Sequence, residues 1–171
     1  MYTYQDLLEI QTDIDKMNFV YSVIQKWKTT EIYRNAVAAR QYYNGQNATI
    51  LQFQKYVTKV TGEQIPDIWS SNFKIPSNFF YRFTTQKVNF LLGNGVAWTN
   101  ENTAEKLGTH KYPFDTQLKK AGEKACIGGL TFGFYNLDHV ELFDLTEFAP
   151  LYDEEDGALK AGIRFWQIAA N

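Results

Sequence analysis

The stretch FFYRFTTQKVNFLLGNGVAW, residues 79–98, sets a dense run of aromatic and aliphatic side chains directly before Gly93-Asn94-Gly95. A glycine loop that cradles phosphate sits at the start of a helix, where free N–H groups and the positive end of the helix dipole face the anion. Here the glycines follow the helical pattern, so carbonyl groups and the negative dipole end lie beside them. No Lys-Ser or Lys-Thr pair comes after them. The turn therefore reads as a helix stop. Pro76-Ser77-Asn78 launches the helix, over 77–92. Phe79, Phe80, Phe83, Val88, Leu91 and Leu92 surround most of it, and Arg82, Gln86 and Asn89 form one narrow polar stripe. A helix this apolar is expected to pack on several sides, with the stripe turned to a neighbouring subunit or element.

Upstream, Thr12 three residues before Asp15 is a capping signal for a helix over 12–28. Its apolar series is Ile14, Met17, Tyr21 and Ile24, widened by Val20, Val23 and Trp27. A second helix starts near Thr30, carries Ile32, Ala36, Ala39 and Tyr43 on one face, and ends at Asn44-Gly45. Ile50, Phe53, Val57 and Val60 have helical spacing over 48–60, although Thr and Val dominate there. TGEQIPDIWSSNFKIPSN, 61–78, reads as a long connection.

Downstream, 114–127 reads as a helix with Phe114, Leu118, Ala121 and Ala125 inward and Lys119, Lys120 and Lys124 outward. Beyond Gly128-Gly129 the segments LTFGFYNL (130–137), HVELFDL (139–145), a strand at 147–152 and AGIRFWQI (161–168) are short and aromatic, as strands are. YNLDH marks a hairpin turn, and LYDEEDGA links the last two strands. The expected class is α+β in a single region over 1–171: a helical part over about 12–127, then a β-rich part over about 128–171 forming an antiparallel sheet.

Thirteen Phe, eleven Tyr and four Trp in 171 residues place the chain among globular proteins. A net charge of −2 argues against a general nucleic-acid binder. Cys126 is the sole cysteine, which fits a reducing compartment. The opening MYTYQDLLEI lacks the basic and apolar regions of a signal peptide, no apolar run approaches the length of a membrane span, and Asn47-Ala48-Thr49 reads as a chance sequon. A soluble intracellular protein is expected.

His110 and His139 lack ligand partners at metal spacing, and no nucleophile elbow or zinc-protease pattern occurs. Cofactors and catalysis are therefore not expected. Carboxylate pairs such as Glu141 with Asp144 could serve a hydrolase, yet an acidic surface supplies such pairs by chance. Asp138, Glu141, Asp144, Glu147, Asp153, Glu154, Glu155 and Asp156 fall in one stretch without Lys or Arg. It reads as a solvated hairpin edge protected by charge, or as a surface that repels DNA phosphates.

Four pieces, in order, resemble the N-terminal part of portal proteins of long-tailed phages and prophages of Gram-positive bacteria. They are RQYYNGQNATIL (40–51), SNFKIPSNFFYRFTTQKVNFLLGNGV (71–96), FDTQLKKAGEKACIGGLTFGFYNL (114–137) and FAPLYDEEDGALKAGIRFW (148–166). Tyr42, Tyr43 and Gly45 match the first element of that family, and Asn72 with Lys74 the second. Gln86, Lys87, Asn89, Leu91, Leu92 and Gly93 match the helix end, and Pro150, Tyr152, Ile163, Arg164 and Phe165 the final strands. Asn94-Gly95 stands where the family usually has a proline. The resemblance implies a structural, non-enzymatic subunit of a homo-oligomeric ring, usually of twelve, at a capsid vertex of the virion, assembled in the host cytoplasm. Its implied partners are terminase, scaffolding, capsid and head-completion proteins, with double-stranded DNA passing through the channel during packaging and ejection and no membrane. Portal proteins are much longer, so the matched part corresponds to the outer, wing-like region and the chain reads as a fragment of a longer one. The alternative is a stand-alone aromatic-rich module that binds a protein or ligand.

Overall fold

The computed structural model describes residues 2–100 and 102–166. The fold is α+β, with seven helices and six short strands among these residues. In chain order they are α1 (Tyr4–Leu8), α2 (Asp13–Lys28), α3 (Glu31–Tyr43), α4 (Ala48–Gln52), β1 (Tyr56–Thr58), β2 (Gln64–Pro66), α5 (Phe79–Leu92), α6 (Asn102–Leu107), α7 (Phe114–Gly128), β3 (Thr131–Asn136), β4 (His139–Asp144), β5 (Phe148–Tyr152) and β6 (Leu159–Arg164).

Local chemistry sets the helix ends. Thr12 and Thr30 are the N-caps of α2 and α3, and their hydroxyls accept from the Asp15 and Tyr33 N–H groups. Gly45 follows α3 with φ +78, a left-handed conformation that costs glycine little. α5 stops at Leu92, with Gly93 as its cap. Gly95, not Gly93, takes the left-handed conformation there.

Which face of each helix is buried differs from the periodicity in α2. Val23 and Trp27 are in the core, while Ile14, Met17 and Tyr21 face solvent. Both stripes have helical spacing, and a long-range bond selects between them: Trp27 Nε1 donates to the Leu145 carbonyl at 3.0 Å. The core cluster joins Val23, Trp27 and Ala36 to Leu145, Ala149 and Leu151. α7 is the central helix, in contact with α3 and α5 as well as with β3 and β4. Lys124 is consequently drawn into ion pairs with Asp144 and Glu147 and is not an outward-facing lysine. α5 comes close to α7 at Gly122, where a Cβ would lie 2.7 Å from Leu92 Cδ1.

Two further expectations are corrected. The helical spacing over 48–60 produces only the five-residue α4; β-branched residues then enter a hairpin, β1 pairing antiparallel with β2 in the register Val57↔Ile65. β1 thus lies in the segment expected to be helical, and β2 in the segment 61–78 expected to be a long connection. The C-terminal strands also do not form one sheet. They form two separate antiparallel hairpins, β3–β4 and β5–β6. The hairpins meet through aromatic rings, Phe148 lying 4.6 Å from Phe132 and 5.7 Å from Phe143 between centroids. Packed aromatic rings, one pair tilted and one stacked, join them where a hydrogen-bond ladder was expected. The turn at Leu137-Asp138 is tight, with Leu137 at φ +60. Residues 167 and 168 of the expected last strand lie outside the described residues.

Phe148 also covers Gly162 on the neighbouring strand, where a Cβ would fall 2.0 Å from the ring. Gly162→Ala is expected to force that ring aside and cost about 1–3 kcal/mol, the usual penalty for overpacking. Urea unfolding should show a lower midpoint with an unchanged slope.

Candidate functional site

The principal concentration of charge lies where α3, α7 and the β4–β5 turn converge. Arg40 enters from the last turn of α3, Lys124 from α7, and Asp144, Thr146 and Glu147 from the end of β4 and the turn beyond it. Arg40 Nη1 donates to Thr146 Oγ1 at 2.7 Å, and its Nη2 lies 3.6 Å from Asp144 Oδ2 and 3.5 Å from Glu147 Oε1. Lys124 Nζ lies 3.3 Å from Asp144 Oδ2 and 3.6 Å from Glu147 Oε2. The Thr146 hydroxyl and N–H both donate to Asp144 Oδ1, at 2.6 and 2.9 Å. Two cations therefore meet two carboxylates, and the threonine completes the network.

Beside it is an open cleft of about 280 Å³, lined in part by Ala36, Tyr43, Lys120, Glu123 and Leu145. Tyr43 donates to the Glu123 carboxylate across the cleft wall. Burial, together with that carboxylate, pushes the Tyr43 phenol well above its ordinary range. Burial pushes the Asp144 carboxyl up. The Thr146 donors, Lys124 and Arg40 outweigh that effect and hold it below the usual carboxylate range. An ionised carboxylate held between cations is a poor proton acceptor and no proton donor at neutral pH. The arrangement is suited to fixing the β4–β5 turn against two helices.

The acidic stretch is not a continuous surface. Asp144 is buried, and with Glu147 it is neutralised by cations from distant parts of the chain. Glu141 lies 3.4 Å from Arg164, whose guanidinium also rests over the Phe143 ring at 4.7 Å. Glu141 and Asp144, three apart on one strand, point to opposite faces and have different partners, so they do not form a carboxylate dyad. Asp138 is exposed and contacts His139. Asp153 and Asp156 accept from the Glu155 and Ala158 N–H groups in the β5–β6 turn, with Lys160 paired to Asp156 at 2.8 Å. Glu154 and Glu155 are exposed beside them.

Arg82, Gln86 and Asn89 are all exposed on α5 in the isolated chain. The buried side chains of α5 are Thr84 and Val88. Other residues singled out in the sequence have local tasks. Asn72 Nδ2 and Lys74 Nζ donate to the Phe53 and Leu51 carbonyls, closing the base of the segment that carries β1 and β2. Lys119 Nζ donates to the Gly93 carbonyl at 2.9 Å, and the Asp115 carboxylate abuts Gly95. A helix C-terminus and a carboxylate thus face the glycine turn and oppose a bound anion, and the Lys119 ammonium there is taken up by the Gly93 carbonyl.

Sequence reasoning missed Arg40, Thr146 and the inward role of Lys124. The one local hint was the lack of Lys and Arg between Asp138 and Asp156, which leaves those carboxylates to find cations elsewhere. Among the described residues no group of three or more His, Cys, Asp or Glu is placed to hold a metal ion, and no helix is long and apolar enough to cross a membrane. No protein-family model matches this chain, and no curated protein or solved structure matches it.

Asp144→Asn is expected to cost about 1–3 kcal/mol, because it leaves Arg40 and Lys124 with half their anionic partners; their partial exposure keeps the loss below that of a fully buried pair. The folded-state pKa of Asp144 is depressed, so its contribution is present above the ordinary carboxylate pKa of about 4 and is lost as pH falls through the lower folded value. Chemical unfolding of both proteins across pH should show a constant gap above pH ~5 that closes in strong acid.

Proposed function

We propose that this chain is the outer, wing-like part of a phage portal subunit, a structural and non-enzymatic component of a ring at the capsid vertex through which DNA is packaged and ejected. The observation that carries the reading is the ordered set of four sequence elements, the longest of which, residues 71–96, contains α5. Support comes from the way α5 is used. It packs through Thr84 and Val88, while Phe79, Phe83, Phe90 and Leu91 remain exposed on its outer side. A surface helix of a finished monomer normally turns such residues inward. A subunit awaiting neighbours leaves them out.

In this reading the charge cluster at Asp144 is a rigid joint, and the terminase, scaffolding, capsid and head-completion proteins are the ring's partners. The exposed aromatics Trp69 and Phe73 favour the second reading, a free-standing binding module. The two part on assembly state. Protein expressed from the complete reading frame at micromolar concentration should form ring particles visible by negative-stain electron microscopy. A persistent monomer with one saturable partner would establish the module reading instead.

A further inference from the structure

Asn-Gly, the dipeptide in which asparagine most readily loses its side-chain ammonia, occurs twice, at Asn44-Gly45 and Asn94-Gly95. Asparagine is a thermolabile residue, and a following glycine lacks the Cβ that would hinder attack on its side chain. Both asparagines are exposed. In both pairs the glycine is left-handed, with φ +78 at Gly45 and +72 at Gly95. The reaction makes one geometric demand. The glycine nitrogen has to swing onto the asparagine side-chain carbon, so hydrogen bonds that fix the connecting peptide must open first.

The two turns differ in what must open. Asn44 caps α3; the Gly45 N–H donates to the Tyr42 carbonyl at 3.0 Å and the Gln46 N–H to the Gln41 carbonyl at 2.8 Å. Paired bonds of this kind lock a helix end. Asn94 lies one residue beyond the cap of α5, and the Gly95 N–H donates to the Leu92 carbonyl at 3.2 Å. No other backbone hydrogen bond holds residues 94–96 among the described residues. The additional bond at the first turn corresponds to about tenfold in rate.

We propose that Asn94 is a self-modifying site of the folded protein and that the α3 cap protects Asn44. The Gly95 nitrogen bonds to the Asn94 Cγ and gives up its proton. The Cγ–Nδ2 bond breaks, and the side-chain nitrogen leaves as ammonia. A five-membered succinimide ring then spans positions 94 and 95. Water opens that ring at either carbonyl, leaving aspartate or isoaspartate at position 94. One water is consumed and one ammonia released, and ring assembly plays no part.

The surroundings give the change a consequence. α7 clasps this turn through Asp115, whose carboxylate would lie 2.8 Å from a Gly95 Cβ, and through Lys119, which donates to the Gly93 carbonyl. A second carboxylate at position 94 adds like charge near Asp115, and isoaspartate adds a carbon to the main chain. Conversion therefore loosens the α5–α7 junction, where Leu92 meets Gly122.

The test is prolonged warm incubation of the full chain at neutral pH, with peptide mass spectrometry scoring the acid formed at positions 44 and 94 and an enzymatic assay for isoaspartate. In the folded chain position 94 should convert about tenfold faster than position 44. In urea-unfolded chain the two should convert at comparable rates, because both are Asn-Gly and the helix cap is gone. Asn94→Gln, whose longer side chain closes the ring poorly, should release less ammonia and keep its thermal midpoint, while the aged parent melts lower. Equal conversion at both positions in the folded chain, or faster conversion at 44, would overturn the protection by the α3 cap. Position 94 intact in the folded chain, whatever happens in urea, would overturn the site. Conversion at 94 with an unchanged midpoint would overturn the link to the α5–α7 junction.

Discussion

The fold turns on the β4–β5 turn, and within it on the Leu145 carbonyl that accepts from the Trp27 indole, 118 residues away in the chain. The Leu145 side chain is almost fully buried among Val23, Trp27 and Ala36, and Ala149 and Leu151 follow it into the same cluster. Its neighbours on either side, Asp144 and Thr146, bind Arg40 and Lys124. A segment of eight residues, Asp144–Leu151, thus joins α2, α3 and α7 to both C-terminal hairpins. Its apolar members supply the burial energy, and the flanking polar members fix the orientation in which burial occurs.

The rest of the molecule is open by comparison. α7 is covered by α3, α5, β3 and β4, whereas α5 meets α7 and α3 and leaves Phe79, Phe83, Phe90 and Leu91 exposed. The β1–β2 hairpin is exposed at every strand position except Ile65. Three donors from Lys55, Asn72 and Lys74 hold the base of that segment. A two-stranded hairpin has marginal stability by itself, and its apolar side chains gain little until a further surface covers them. The unburied area and the small core are two aspects of one fact: the chain brings more apolar surface than its own packing removes from water.

The hairpins β3–β4 and β5–β6 show how a β region forms without one continuous ladder. Gly162 leaves space for the Phe148 ring, and that ring bridges to Phe132 and Phe143. Arg164 lies over Phe143 and reaches Glu141, adding a charged contact between the same two hairpins.

Much of this was legible in the sequence wherever the deciding forces act over a few residues. Thr12 and Thr30 cap because their hydroxyls reach N–H groups three residues on, Gly45 ends α3 because a left-handed residue suits glycine, and the short aromatic segments after Gly129 carry the composition of strands. The α+β class and most element boundaries follow from such signals. The candidate site was largely illegible, since Arg40 and Thr146 are separated by 106 residues and nothing local to either announces the other. The tertiary structure alone decided which stripe of α2 is buried, that Lys124 turns inward, that residues beyond 52 join a hairpin, and that the acidic stretch is divided among cations from three elements. Periodicity allows more than one face, and charge allows more than one partner. Only the packing of distant segments removes that choice, because burying one arrangement excludes the others from the same volume.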